Sequence, residues 1–185
     1  MEYKVLIGCP VRDRAWILPR YLQCLLELNY PKNQIEYAFV VNDSIDTTLE
    51  ILQEFALRSP SPVHLIQQNM SSRNSSSRGA YNIANLVVLR NILLNMFIKS
   101  DCSHLFSVDS DILVTPDSLN ELIKLDLSVV SLLVRNDHHI GELGYYNISR
   151  LQGGQYHPIR DFPRGRLLQV DCTGAGYLIK RFVIE

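Results

Sequence analysis

The feature that most constrains the fold is a series of short apolar runs that alternate with segments of helical spacing. The apolar runs occupy residues 3–9, 35–41, 63–67, 104–108 and 127–134. Nearly continuous apolar runs of this length are typical of strands buried on both faces of a parallel sheet. Helical segments are predicted between them, over about 14–28, 46–57, 79–99 and 116–125. The sequence therefore predicts an α/β domain, with a Rossmann-like, mainly parallel sheet and helices on both faces.

Individual side chains also receive predicted positions from these segments. Asp13 is expected to cap the first helix, and Trp16 is expected to pack in the core. In the long third helix, the predicted buried stripe consists of Ile83, Leu86, Val87, Leu94 and Phe97.

The chain changes character after residue 135. Residues 136–166 contain many glycines, prolines and aromatic residues, so we expect hairpins or a long loop there. Two more strands are predicted at 167–171 and 175–180. They predict a small antiparallel element near the C-terminus. At 185 residues, the chain fits a single domain over 1–185 with a sizeable core.

Composition excludes several classes of function. The net charge is -1, so no basic surface favours nucleic acid or an anionic membrane. No apolar run has the length of a membrane span, and the N-terminus lacks the pattern of a signal peptide. The four cysteines lack the spacing of a disulfide scaffold. We interpret them as buried thiols in a reducing compartment, which predicts a cytoplasmic protein.

Two carboxylates, Asp109 and Asp111, follow the predicted strand at 104–108. Residues i and i+2 of an extended segment point the same way, so these side chains can converge. Converging carboxylates repel unless a cation lies between them, and Mg²⁺ and Mn²⁺ prefer oxygen ligands. Because ligands of open α/β sheets collect at the carboxyl ends of strands, Pro10-Val11-Arg12 and Asn42-Asp43-Ser44 are expected at the same edge.

These residues resemble a known family, the nucleotide-sugar-dependent glycosyltransferases with the GT-A fold. The likeness is closest to glycosyltransferase family 2 and to the related mannosyltransferases of the Anp1 type. The matching pieces are Cys9-Pro10-Val11-Arg12, Val41-Asn42-Asp43-Ser44-Ile45-Asp46, Arg90-Asn91, Val108-Asp109-Ser110-Asp111 and the segment from Gly174 to Arg181. Their order and spacing extend over essentially the whole chain.

The resemblance implies a role for each piece. Residues 1–115 would bind a nucleotide-diphosphate sugar, and 116–185 would lie on the side of a saccharide or other hydroxyl acceptor. The implied nucleotide-sugar-binding residues are Pro10 and Arg12 in the nucleotide pocket, Asp43 at the base or ribose, Arg90 near the diphosphate, and Asp109 and Ser110 beside the donor. Asp109, through water, and Asp111, directly, would bind the metal, Mn²⁺ or Mg²⁺.

Two departures from the family pattern limit this assignment. Asn42 replaces an acid that often precedes Asp43 in the family. In addition, the family places a further acid, and often a histidine ligand, after the Gly-Ala-Gly strand. Neither can be placed before Glu185, so the catalytic base is not assigned. The resemblance implies either a chain that is incomplete at its C-terminus or a base that comes from elsewhere.

Two other functions remain open from the sequence. Haloacid dehalogenase-type phosphatases also carry Asp-x-Asp after a strand, but their motif lies early in the chain, and Leu113 departs from their pattern. The second alternative is a nucleotide-sugar-binding or interaction module without catalysis. Arg73 and Arg78 are predicted either to close over a diphosphate as part of a lid or to lie in a solvated loop. Asp137-His138-His139 is predicted either to face the acceptor or to be a solvated loop. Arg14 is expected to be a surface charge.

Overall fold

The structure is a computed structural model, and it describes residues 3–70, 83–135 and 146–185. Its helices are α1 (Leu18–Leu26), α2 (Thr48–Arg58), α3 (Ile83–Lys99) and α4 (Ser118–Lys124). Its strands are β1 (Val5–Val11), β2 (Ile35–Val41), β3 (Val63–Gln67), β4 (His104–Val108), β5 (Val129–Ser131), β6 (Ile148–Gln152), β7 (Gln155–Pro158), β8 (Cys172–Thr173) and β9 (Gly176–Lys180). Short 3-10 turns cover Lys32–Gln34 and Arg181–Val183.

The strands form one large sheet and one small sheet. The large sheet has the order β3-β2-β1-β4-β9-β5, and its first four strands are parallel. β9 enters antiparallel to β4 and also pairs antiparallel with β5. The small antiparallel sheet has the order β7-β6-β8. The predicted α/β class, with a mainly parallel sheet and a small antiparallel element near the C-terminus, is therefore confirmed.

Helices cover both faces of the large sheet, as predicted. One core contains alternate residues of β1, β2 and β4 packed against α1, α2 and α4. The core on the opposite face contains Leu89, Leu93 and Phe97 of α3, packed with the other alternating set of strand residues. This alternation follows from the two-residue period of a strand, which presents successive side chains to opposite faces.

Two residues of β1 show how closely the central strands fit. A Cβ atom on Gly8 would lie 1.9 Å from the carbonyl oxygen of Ala38 in β2, so only glycine fits there. Pro10 continues β1 beyond the expected end at residue 9. Proline is accommodated because the pairing of β1 with β4 ends at Gly8 and Ser107, so no ladder bond to β4 requires an N–H at position 10.

Several positions of helical residues were predicted wrongly. Asp13 does not cap α1, which begins after Ile17 with Pro19 in its first turn. Trp16 lies before this helix and is 61% exposed, so it is not a core residue. In α3, the predicted stripe is wrong for Ile83 and Val87, which are exposed. Phe97 is buried and Leu94 packs against the same core, but the fully buried face also contains Leu89 and Leu93, which were not predicted.

The C-terminal half also differs in detail from the expectation. The strand predicted at 127–134 is limited to β5, and the strand predicted at 167–171 is replaced by the short β8. Cys172 in β8 is exposed, whereas the other three cysteines are buried as expected. The hairpin of β6 and β7 confirms the turn-rich character of this region.

Asn147 connects the small sheet to the large one. Its Nδ2 atom donates to the carbonyl oxygens of Leu132 at 2.9 Å and Gly174 at 2.7 Å. Its Oδ1 atom accepts a bond from the Val134 N–H at 2.8 Å. Asn147 therefore fixes the segment that leads from β8 into β9.

Two earlier predictions fall outside the described residues: those for Arg73 and Arg78 and for Asp137-His138-His139. Within the described ranges, no helix is long and apolar enough to cross a membrane.

Candidate functional site

Asp109 and Asp111 lie in a turn at the carboxyl end of β4. The strand ends at Val108, and the Ile112 N–H donates to the Asp109 carbonyl at 2.9 Å, which closes the turn. The Asp109 N–H donates to the Ala175 carbonyl at 2.7 Å, just before β9. The two carboxylates thus come together through a turn, and not through the extended backbone that the sequence predicted.

Arg90 of α3 forms an ion pair with Asp109. Its Nη2 atom lies 2.9 Å from Asp109 Oδ1, and the two side chains are 27% and 36% exposed. Burial raises the pKa of the Asp109 carboxyl; Arg90 acts against this shift, and repulsion from Asp111 adds to it. Burial lowers the pKa of Arg90, but Asp109 and Tyr177 outweigh it and leave the pKa raised. The raised pKa of Asp109 follows from its burial and from the second carboxylate that it faces, Asp111.

Arg14, in the loop after β1, reaches the second carboxylate. Its Nη2 atom lies 3.4 Å from Asp111 Oδ2, and its Nη1 atom donates to the Arg12 carbonyl at 3.1 Å. Both Arg14 and Asp111 are partly buried. The expectation that Arg14 is a surface charge is therefore wrong. Each acid of the pair has its own arginine, one from the loop after β1 and one from α3.

The loops that follow β1 and β2 are joined by side-chain bonds. The Asp13 N–H donates to Ser44 Oγ at 3.2 Å, and Asp13 Oδ1 accepts from the Ile45 N–H at 2.9 Å. Asp46 accepts in turn from the Ala15 N–H at 3.0 Å. Because Arg14 lies between these bonded positions, the contacts fix its backbone beside the end of β4.

Asp43 lies at the end of β2 and binds the segment that follows β3. Its carboxylate accepts two bonds from the Met70 N–H, at 3.2 and 3.0 Å, and one from Asn42 Nδ2 at 2.9 Å. Asn42 is 3% exposed and also donates to the Gln68 carbonyl. An amide at position 42 can donate to Asp43, which a carboxylate could not do. The departure from the family pattern therefore fixes the orientation of Asp43.

Three non-glycine residues at this edge have a left-handed backbone. Asp13, Asp43 and Ala175 have φ angles of 48°, 44° and 67°. Such angles are uncommon for non-glycine residues, and they cluster at functional sites when the surrounding structure holds them. Here the bonds of Asp13 and Asp43 to neighbouring loops, and the bond from Asp109 to Ala175, supply that support.

The other predicted nucleotide-sugar-binding residues, Pro10, Arg12 and Ser110, lie in or directly after β1 and β4. Pro10 is half-buried at the end of β1, and Ser110 is buried between the two acids. Arg12 follows β1, and its Nε atom lies 3.7 Å from Asp13 Oδ2. The structure therefore connects Arg90, Asp109, Asp111 and the loop of Arg12 directly. Their contacts with a nucleotide sugar stay a prediction.

The acid pair fits a hard divalent cation. Within the described ranges, the side-chain hydrogen bonds of the two acids use only Oδ1 of Asp109 and Oδ2 of Asp111. One oxygen of each carboxylate is left for an ion, and both side chains retain exposure to solvent. Carboxylate oxygens are the ligands that Mn²⁺ and Mg²⁺ prefer, and these ions take their remaining ligands from water and phosphate.

Sequence reasoning did not place Arg14 at the site, and it predicted no contact for Tyr177 or Ala175 within the matching segment from Gly174 to Arg181. Arg14 was indistinguishable from a surface charge, since its partner Asp111 lies far away in the sequence. Tyr177 of β9 helps to raise the pKa of Arg90, and no local pattern reveals the register of this antiparallel strand. Ala175 contributes a backbone carbonyl. The small residues around Ala175 were the one available signal, because they indicate an unusual backbone turn.

Known proteins share the sequence pattern of this chain. The Anp1 family matches residues 1–147, which is most of the chain and includes both acids and both arginines. The chain belongs to the Anp1 family. That membership agrees with the resemblance seen in the sequence.

Relatives of this Anp1-family chain are considerably longer proteins. It is 27% identical to a Glycosyltransferase 25 family member of Drosophila melanogaster, over 69% of this chain and 22% of that protein. It is 28% identical to procollagen galactosyltransferase 1-A of Xenopus laevis, again over 69% of this chain and 22% of the relative. The chain thus spans about a fifth of the length of these relatives.

The fold also has a counterpart among solved structures. The mannosyltransferase PcManGT from Pyrobaculum calidifontis, in complex with GDP-Man and Mn²⁺, matches with a TM-score of 0.57. The match has 19% sequence identity and covers 74% of this Anp1-family chain and 36% of the other chain. This likeness confirms the GT-A-like fold.

Proposed function

We propose that this Anp1-family chain is a metal-dependent glycosyltransferase domain, which transfers a sugar from a nucleotide-diphosphate sugar to a hydroxyl acceptor. The observation that carries the proposal is the acid pair Asp109 and Asp111, held between two arginines at the carboxyl edge of a parallel sheet. This is the edge at which open α/β sheets bind their ligands. The names of the relatives support the same activity.

The chemistry of the site suits a diphosphate leaving group. Asp109 and Asp111 would hold Mn²⁺ or Mg²⁺, which neutralises the negative charge that develops on a leaving diphosphate. Arg90 orients Asp109 and opposes the rise in pKa that burial causes in that carboxyl. A structure with the same fold contains GDP-Man and Mn²⁺ together, which supports a nucleotide-diphosphate sugar and Mn²⁺ here.

The remaining assignments follow the sequence prediction. Pro10, Arg12, Asp43 and Ser110 would bind the nucleotide sugar within residues 1–115, and residues 116–185 would face the acceptor, a saccharide or another hydroxyl compound. No catalytic base is assigned. A cytoplasmic location stays a prediction. Membership of the Anp1 family argues against the haloacid dehalogenase alternative.

Binding experiments with an Asp111 variant test the proposal. Asp111→Asn keeps the volume of the side chain and removes its charge, so Mn²⁺-dependent binding of GDP or UDP is expected to disappear. Isothermal titration calorimetry with both nucleotides, with and without Mn²⁺, measures this loss. The matched control is Asp161→Asn on the exposed surface near the small sheet, which should leave binding unchanged.

Two results would count against the proposal. Unchanged metal-dependent binding in Asp111→Asn would refute the metal assignment. Binding of GDP-Man or UDP-GlcNAc by the wild type without sugar transfer to any saccharide acceptor, and without hydrolysis, would favour the alternative of a binding module.

A further inference from the structure

One edge of the Arg14 guanidinium is poorly satisfied. The Nε and Nη2 atoms share an edge, and together they can donate to two oxygens of one carboxylate or phosphate. Among the described residues, Nη2 of Arg14 contacts only Asp111, at the long distance of 3.4 Å. Its Nε atom is buried and has no acceptor within the part of the chain that the structure describes. The other edge, by contrast, is used: Nη1 donates to the Arg12 carbonyl.

The backbone of Arg14 is held firmly. Its N–H donates to Thr48 Oγ1 at 2.8 Å. Its carbonyl accepts bonds from the N–H groups of Ile17 at 3.0 Å and Leu18 at 2.9 Å, at the start of α1. A change of partner by Arg14 therefore takes place through rotation of its side chain, while its backbone stays beside the end of β4.

A buried cationic donor without an acceptor is rare in a folded protein and indicates a missing partner. Asp111 cannot be that partner alone, because it already meets Nη2 at a long distance and leaves Nε unused. A ligand with two oxygens at hydrogen-bonding distance from this edge would satisfy both donors. Phosphate has the required geometry and charge.

We propose that Arg14 is a diphosphate-binding residue that exchanges Asp111 for the phosphate oxygens of the donor when a metal ion binds Asp111. The inference rests on the proposed function, since it requires a metal at Asp111 and a diphosphate beside it. Before the metal binds, Arg14 compensates the charge of Asp111. Once the ion takes over that task, the Nε and Nη2 edge is free for the diphosphate. Arg90 keeps its shorter 2.9 Å bond to Asp109.

The proposal predicts effects of opposite sign on two ligands. Arg14 competes with the metal for Asp111, so Arg14→Gln should bind Mn²⁺ alone as tightly as the wild type or more tightly. The same variant should bind GDP and UDP in the presence of Mn²⁺ about tenfold or more weakly, because a charge-assisted bond to phosphate is lost. If Arg14 only positioned Asp111, its replacement would weaken the binding of Mn²⁺ and of the nucleotides together.

Two titrations of the full chain separate these possibilities. Electron paramagnetic resonance of free Mn²⁺ measures binding of the metal alone, and calorimetry with saturating Mn²⁺ measures GDP and UDP. Arg14→Lys keeps the charge without the two-donor edge, so its affinity for the nucleotides should stay close to that of Arg14→Gln. The matched control is Arg58→Gln, an exposed arginine paired with Glu54, which should behave as the wild type.

Each outcome decides the matter. Weaker nucleotide binding with retained Mn²⁺ binding in both Arg14 variants supports the proposal. Wild-type nucleotide affinity in Arg14→Gln or in Arg14→Lys overturns it. A loss of both Mn²⁺ binding and nucleotide binding in the variants also overturns it. In either case the proposed function still stands. If the wild-type chain binds neither nucleotide with Mn²⁺, the proposed function itself fails, and the inference fails with it.

Discussion

Replacement of Arg90 by methionine removes one ion pair and keeps most of the aliphatic side chain. Arg90 is the cation on Asp109, at 2.9 Å, and both side chains are about one-third exposed. An exposed ion pair contributes up to about 1 kcal/mol. Loss of one partner of a buried pair destabilises by roughly 3–5 kcal/mol. For partial burial we expect Arg90→Met to lower the free energy of unfolding by about 1–2 kcal/mol, or the melting temperature by about 2–8 °C.

The loss should depend on the charge of Asp109. Without Arg90, Asp109 loses its own ion-pair partner while Asp111 stays beside it, so the pKa of the Asp109 carboxyl rises further above its usual value. The native state then binds more protons than the unfolded state, and the variant recovers stability as the pH falls. For the same reason, Arg90→Met should lose less stability in a protein that already carries Asp109→Asn.

A double-mutant cycle measures this coupling. Urea unfolding at pH 7, followed by circular dichroism, gives the free energies of the wild type, both single variants and the double variant. Arg58→Met, which breaks the exposed pair with Glu54, serves as the control and should lose no more than about 0.5 kcal/mol. If Arg90→Met costs the same stability in the Asp109→Asn background, the effect comes from packing, and the electrostatic reasoning is refuted.

Two further substitutions test the fold around the site. Gly8→Ala should destabilise by about 1–3 kcal/mol in urea unfolding, since the new Cβ would lie 1.9 Å from the Ala38 carbonyl oxygen; Gly174→Ala, with open space around its Cβ, is the control, and equal effects would contradict the close approach. His104 is buried, and burial, assisted by Lys180, lowers its pKa below the usual 6.5. The unfolded state therefore binds more protons below that pH, so the wild type loses stability as the pH falls through about 6.5. His104→Gln should lose less between pH 7 and 5.5, and an unchanged slope would exclude His104 as the source.

The central parallel strands were predictable because they are buried on both faces. The runs at 35–41 and 104–108 match β2 and β4 residue for residue. Burial on both faces requires apolar side chains at nearly every position, so the sequence alone reveals such a strand. The acid pair was predictable for a related reason, since polar residues directly after a buried strand must lie at the edge of the sheet.

Other features have no local signal. α3 is apolar on almost every side, so its spacing did not distinguish the buried face of Leu89, Leu93 and Phe97 from the exposed face of Ile83 and Val87. Packing against the sheet decides that face, and packing is a property of the tertiary structure.

The pairings of the site also lie beyond local reasoning. Arg14 meets Asp111, and the Asp109 N–H meets the Ala175 carbonyl, across long stretches of sequence. Such contacts depend on the order of strands in the sheet, and in particular on β9, which enters antiparallel between β4 and β5.

The position of β9 has a consequence for the order in which the protein folds. β4 lies between β1 and β9, which come from opposite ends of the chain. During synthesis, β1 to β4 emerge first and can pair early, while the other edge of β4 stays open until residues 176–180 appear. Until that moment Asp109 lacks the Ala175 carbonyl that fixes its backbone. The backbone of the acid pair would thus reach its final arrangement only after residues 176–180 have joined the sheet beside β4.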